Sequence, residues 1–154
     1  MNTIRGFDIE FSSPDQFNIV DLFLSLHLED FLFYTDDASI FYCKPPSPLD
    51  NKVHIPQTFD FTYLRSLFNQ KILVERLALF LYRKGNVPEE AHSYESYLAS
   101  KCQMIILAYD CFYLEIYCKK QEWLVEIAQT LNLTPGVSYT IKTDANDARN
   151  EMYV

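Results

Sequence analysis

The chain has 154 residues, 49% of them hydrophobic and 22% charged, and its thirteen basic and twenty-one acidic side chains leave a formal charge of −8. That length suits one domain whose fold hides roughly two-thirds of the surface its unfolded form exposes, and the charge repels nucleic-acid phosphates and anionic membranes wherever no basic patch overrides it. Three glycines, Gly6, Gly85 and Gly136, stand too far apart for a Walker loop, a dinucleotide fingerprint or a nucleophile elbow, so those enzyme classes are excluded.

Ile4 to Phe11 alternates cleanly, with Phe7, Ile9 and Phe11 on one face and Gly6, Asp8 and Glu10 on the other, which predicts a half-buried strand. Ser13-Pro14-Asp15-Gln16 carries N-cap, first-turn proline and capping-box residues, so a helix is expected to about Leu26. Asp30–Thr35 and Ser39–Cys43, separated by Asp36-Asp37, read as a hairpin. Prolines 45, 46, 48 and 56 make 44–57 a long irregular loop, a candidate binding loop. Phe59 to Phe68 fits a helix. Ile72 to Tyr82 fits its continuation or a strand, and the strand is favoured because Leu77 to Tyr82 is apolar on both parities.

Gly85 to His92 reads as a surface loop and Ser93 to Ala99 as a short helix. Gln103–Tyr109 and Phe112–Cys118 form two strands joined by a tight turn at Asp110-Cys111, hence an antiparallel pair. An amphipathic helix from Gln121 to about Leu131 ends at Thr134-Pro135-Gly136, Val137 to Lys142 returns as a strand, and 143–154 is a polar C-terminal tail. The expected fold is therefore one α+β domain spanning 1–154, an antiparallel or mixed sheet with two or three packed helices.

The N-terminus lacks a basic region followed by an apolar one, and no apolar run approaches the ~20 residues of a membrane helix. A cytoplasmic protein without a membrane partner is expected. Cys43, Cys102, Cys111 and Cys118 are then reduced thiols, buried or half-buried.

The stretch Tyr113-Leu-Glu-Ile-Tyr-Cys-Lys-Lys-Gln121, the following helix, and Thr143-Asp144-Ala-Asn146-Asp147-Ala-Arg149 together resemble an uncharacterised family of small proteins from Bacillus-like bacteria, domain of unknown function 2691. The opening Arg5-Gly6-Phe7-Asp8-Ile9-Glu10 is similar to that family's first strand. The resemblance covers roughly the first forty and last fifty residues. It implies a bacterial cytoplasmic source and supplies no activity, cofactor or catalytic residue.

The chemistry-bearing residues are scattered. Cys111 and Cys118 stand seven apart, unlike the close ligand pairs of zinc sites, and His27, His54 and His92 are isolated, so no metal is expected. Asp144-Ala-Asn146-Asp147 echoes a calcium loop but lacks the later ligands and the glycine, and reads better as a capped turn with Arg149 pairing a nearby carboxylate. Glu29-Asp30, Asp36-Asp37 and Glu89-Glu90 read as surface charge. The aromatic strands invite a nucleic-acid reading, but Glu115 stands where such sheets carry Arg or Lys, so no nucleic-acid partner is expected.

Tyr109, Tyr113 and Tyr117 form a candidate exposed aromatic patch, and Asp144, Asn146, Asp147 and Arg149 a candidate polar one. The functional expectation is a non-enzymatic acidic interaction protein with no cofactor, an inhibitor or immunity-like binder of a basic protein partner. The alternative is a small-molecule-binding protein or an unrecognised enzyme with a pocket between sheet and helices. A homo-oligomer using its aromatic sheet face is the third reading.

Overall fold

The computed structural model describes residues 3–44, 49–89 and 91–153. Prolines 45, 46 and 48 of the candidate loop, Glu90 and Val154 lie outside them. The strands are β1 (Ile4–Phe11), β2 (Phe31–Tyr42), β3 (Thr58–Phe59), β4 (Ile72–Arg83), β5 (Met104–Tyr109), β6 (Tyr113–Cys118) and β7 (Val137–Thr143). They form a single open sheet in the order β3-β2-β4-β5-β6-β1-β7, and every neighbouring pair among the described residues is antiparallel. With helices α1 (Phe61–Phe68), α2 (Tyr94–Ala99) and α3 (Gln121–Leu133), the fold is α+β and dominated by its sheet.

Two of the expected elements differ. The segment after β1 is not one α-helix but three 3₁₀ turns, Pro14–Gln16, Val20–Leu22 and Leu24–Leu26. Ser13 makes no side-chain cap, and Gln16 turns instead to the Ser12 hydroxyl. The Asn18 side chain accepts from the Val20 N–H, a local bond that competes with helix propagation. Ile19, Val20, Leu22, Phe23, Leu26 and Leu28 are all buried, a demand that one helical stripe does not meet. His27, with φ 56, ends the run.

The predicted hairpin at 30–43 is instead one long strand. β2 runs beside β4 from Phe31 opposite Arg83 to Tyr42 opposite Ile72. Asp36-Asp37 lies in a β-bulge, where Tyr34 and Asp37 face Phe80 and Ala78 and Thr35 Oγ1 closes on Asp37. The extra residue flips the side-chain parity, so Phe31, Phe33, Ala38 and Ile40 all reach the same core. A second irregularity around Glu75 does the same for β4, placing Val74 with Leu77, Leu79 and Leu81. The favoured strand at 72–82 is therefore the observed one, central and buried on both faces from Leu77 to Tyr82.

One sheet face is covered by the 3₁₀ turns, α1 and α3. Asp60 caps α1 by accepting from the Tyr63 N–H, and α3 lays Trp123, Leu124, Ile127 and Leu131 on the sheet, with Trp123 edge-on to Phe31 at 5.2 Å. That face is packed with apolar side chains. The second face carries a smaller cluster beneath α2 and the C-terminal tail, where Phe80, Tyr82, Tyr97, Ile105, Tyr117 and Met152 meet. Ser93 and Ser96 close the α2 capping box, and the tail pairs beside it through the Ser93–Glu151 bridge. This second cover stops short. Over the far half of β6, β1 and β7, from Asp8 and Thr140 to Glu10 and Ser138, the sheet face is open.

Candidate functional site

Register decides what the open face displays. Three rows cross it, read from adjacent pairings: Lys142, Gly6, Tyr117 and Ile105; then Thr140, Asp8, Glu115 and Leu107; then Ser138, Glu10, Tyr113 and Tyr109. The first row lies under the tail. The third is exposed to half-buried, and the second is the boundary.

On that boundary sits a buried ion cluster. Lys142 Nζ donates to Glu115 Oε1 at 2.6 Å and to Tyr117 OH at 3.1 Å, and it lies 3.1 Å from Asp8 Oδ1 and 3.4 Å from Asp147 Oδ1. Arg149 grips Glu115 with both prongs, Nε to Oε1 at 3.1 Å and an Nη to Oε2 at 2.7 Å. Its other Nη donates to the carbonyls of Glu151 and Tyr153, so one guanidinium fixes the tail to the sheet. Asp147 accepts from Tyr117 OH at 3.1 Å and from the Arg149 N–H at 3.2 Å. Arg5 joins from the side, 2.8 Å from Asp144 and 3.4 Å from Asp147, with its guanidinium 4.0 Å above the Tyr94 ring.

The proton affinities follow. Burial works against the Lys142 ammonium, but its bonds to Glu115 and Tyr117 outweigh it and raise its pKa. Burial likewise opposes the Asp147 carboxylate, and the Arg149 N–H and Lys142 hold it below its ordinary value. Asp8 goes the other way, pushed up by desolvation that Lys142 only partly offsets. Burial, then Glu115 and Asp8, raise Tyr109 to about 12.

Beside the cluster lies a trough of about 440 Å³ whose lining includes Asp8, Glu10, Tyr109, Tyr113, Thr140 and Arg149. Tyr109 and Tyr113 face each other across the hairpin as a stacked pair, centroids 5.5 Å apart and planes within 24°. A second hollow of about 400 Å³, bordered by Glu75, Arg76 and Asp110, shares Tyr109 and Arg149 with it. Among the described residues Glu10 makes no ion pair.

Of the residues singled out from sequence, Tyr109 and Tyr113 do lie together on the open face. Tyr117 does not join them: it is fully buried under α2 and the tail, with its hydroxyl held in the ion cluster. Asp147 and Arg149 belong to that cluster. Arg149's carboxylate partner is Glu115, remote in sequence. Asp144 sits outside on Arg5. Asn146 closes a turn, accepting from the Thr143 N–H at 2.7 Å and donating to the Ile141 carbonyl at 3.0 Å. Cys102 and Cys118 are buried and Cys111 half-buried, but Cys43 is exposed, a departure from the thiol expectation. Sequence reasoning missed Asp8, Glu10, Glu115 and Lys142. The available signal was a lone charge within each of two strands, Glu115 amid apolar neighbours and Lys142 at the end of β7.

A family model described as "Protein of unknown function (DUF2691)" matches residues 4–153. The chain belongs to this family. The match runs through the central region that the sequence resemblance left unaligned, so β4, β5 and the ion cluster are all within the DUF2691 span. Comparison with curated proteins and with solved structures gave no match. Among the described residues no group of three His, Cys, Asp or Glu side chains is arranged to hold a metal, and no helix is long and apolar enough to cross a membrane.

Proposed function

We propose that this DUF2691 protein is a cytoplasmic, non-enzymatic binder of a basic protein partner, an inhibitor or immunity-like protein, and that the open trough is where it binds. The observation that carries this reading is the stacked Tyr109–Tyr113 pair, with the carboxylate of Glu10, unpaired among the described residues, beside Tyr113 on the neighbouring strand, in one concave site. A Lys or Arg side chain entering there meets aromatic faces and negative charge together, a combination that favours cations over neutral groups. The formal charge of −8 steers such a partner toward the surface. Half-buried tyrosines supply rigid anchors at small entropic cost. Tyr109, raised to about 12, stays protonated at neutral pH and serves as a contact rather than a base.

Capture from a native lysate of the source cells on the immobilised protein tests this reading. The expected result is a basic partner that elutes with salt and is lost on Tyr113→Ala or Glu10→Gln. Recovery of no partner, or of one indifferent to salt and to both substitutions, overturns it.

A second reading is favoured by size. The trough falls within the roughly 300–1,000 Å³ of small-molecule sites, so a small organic cation is the alternative ligand. A thermal shift with free arginine or a polyamine, abolished by Glu10→Gln, distinguishes the two. This reading takes the trough on the open face as its pocket in place of one between sheet and helices, and what supports it is the mixed aromatic and acidic lining there.

A further inference from the structure

The two edges of the sheet are treated differently. At the β2 edge, β3 pairs with Phe33 and Tyr34, Thr35 N–H donates to the Gln57 carbonyl, Tyr42 N–H to the Asn51 carbonyl, and Val53 N–H to the Ile40 carbonyl. The described part of the proline-bearing segment thus flanks that edge. Among the described residues β7 has no such cover. Phe11 donates its N–H toward β6 and Ser12 toward Gly136, which fixes the alternation: Ser138 and Thr140 face β1, and the N–H and C=O groups of Val137, Tyr139 and Ile141 point outward.

Among the described residues, the only one of those outward groups with a hydrogen-bond partner is the Ile141 carbonyl, which accepts from Asn146. Asn146 also takes the next outward N–H, that of Thr143. Its amide stands where a neighbouring strand would stand and closes the edge at that end. Val137 to Ile141 stays open. The usual protections of an edge strand are missing from those five positions, which hold no charge, no proline and no bulge. Lys142, the nearest charge, is turned inward to Glu115.

We infer that β7 pairs antiparallel with β7 of a second copy, centred on Tyr139, giving a two-fold dimer with one continuous sheet. The register is self-complementary. Tyr139 meets the partner's Tyr139, Val137 meets Ile141, and Ser138 meets Thr140, so no like charges oppose each other. With the Ile141 carbonyl of each copy already held by Asn146, the three outward residues of each copy exchange about four main-chain hydrogen bonds. Ile141, 45% exposed in the single chain, gains the partner's Val137 as a neighbour on the helix-covered face. A longer foreign strand would run into Asn146, whereas the self-pair uses only the open five residues. Such pairing is isologous and closes at two copies. So short an edge buries less than a standard interface, and the dimer dissociates on dilution.

This inference is independent of the trough. Sedimentation velocity of the full chain over a concentration series, with amide hydrogen exchange, tests it. The expected result is a monomer–dimer equilibrium in which protection of the Val137, Tyr139 and Ile141 amides rises with concentration. Ile141→Lys, at a solvent-facing position, weakens dimerisation at least tenfold with unchanged circular dichroism, while Val87→Lys, at an exposed loop position, leaves it alone. A monomer at every concentration, a species larger than a dimer, or a dimer indifferent to Ile141→Lys would each overturn the assignment.

Discussion

Glu115→Gln removes one charge and almost no volume from the middle of the sheet. In the wild type the Glu115 side chain, 6% exposed, neutralises Lys142 at 2.6 Å and Arg149 at 2.7 Å. Lys142 keeps Asp8 and Asp147, and Arg5 keeps Asp144 and Asp147, but Arg149 loses the one carboxylate it is paired with among the described residues, so the substitution leaves its charge uncompensated at the sheet. Breaking a buried ion pair from one side costs about 3–5 kcal/mol. Arg149 is partly exposed and rehydrates, and the amide still accepts one hydrogen bond, so the lower end applies, about 3 kcal/mol. For a chain of this size each kcal/mol moves the melting temperature by roughly 2–4 °C, which predicts a fall of about 6–12 °C. Urea unfolding read by tyrosine and tryptophan fluorescence measures the loss. A cycle with Lys142→Met separates the pair, and the double variant is expected to lose less than the sum of the singles by about 1–3 kcal/mol. A Glu115→Gln variant within about 0.5 kcal/mol of wild type, or a strictly additive cycle, refutes the view that this cluster ties the tail to the sheet.

Stability against pH is expected to fall on the acid side through Asp147. Its carboxyl is held low, so its contribution is complete above the unfolded value of about 3.9 and is lost as pH falls through the lower folded value. Asp8, raised by desolvation, shifts oppositely and offsets part of this. Asp147→Asn therefore flattens the acid limb of a urea-stability profile, and a limb parallel to wild type counts against the assignment. Lys142, with its affinity raised, contributes fully below about 10.4 and loses its effect only in strong alkali. Gly6→Ala is expected to cost about 3 kcal/mol or more, because an added Cβ would sit 1.7 Å from the Ile116 carbonyl oxygen; a thermal melt within a few degrees of wild type would disprove that close approach. Cys111→Gly is expected to stabilise by about 0.5 kcal/mol. Relief of the left-handed backbone, φ 70, returns ~1–2 kcal/mol, and the entropy of glycine takes back roughly 0.5–1. Denaturant midpoints decide its sign.

Much of the fold was legible where local pattern and long-range packing ask for the same thing. β1 alternates because one face is core, the β5–β6 hairpin follows from a tight turn that takes three residues, 110–112, where two were expected, because Tyr109 pairs with Tyr113, and α3 shows its buried stripe openly. The failures came where local chemistry pointed elsewhere. Asp36-Asp37 has turn composition, yet a bulge uses the same conformational freedom, and only the twelve residues of β4 alongside decide between them. The start at Ser13 looks helical, yet apolar residues around the whole circumference require burial on several sides. The candidate site was half legible for a related reason. Tyr109 and Tyr113 are near in sequence, so the hairpin alone brings them together. Asp8, Glu115 and Lys142 come from three strands and meet only through register, which single-strand periodicity does not encode.

That division also separates stability from recognition. The charges of Glu115, Lys142, Asp147 and Arg149 are spent on one another, and their work is to lay the tail across half of the open face. Glu10, Tyr109 and Tyr113 are left at the margin, held in place by the sheet without being consumed by it. Substitutions in the cluster should therefore lower stability and disturb the trough together, because the Arg149 guanidinium is at once the clamp on the tail and part of the trough's lining. Glu10→Gln should weaken a cationic partner while leaving the unfolding free energy nearly unchanged, whereas Tyr113→Ala should weaken it and also lose a stacked aromatic contact worth about 0.5–1.5 kcal/mol. If binding and stability instead fell in parallel at Glu10, the trough would be one more piece of architecture.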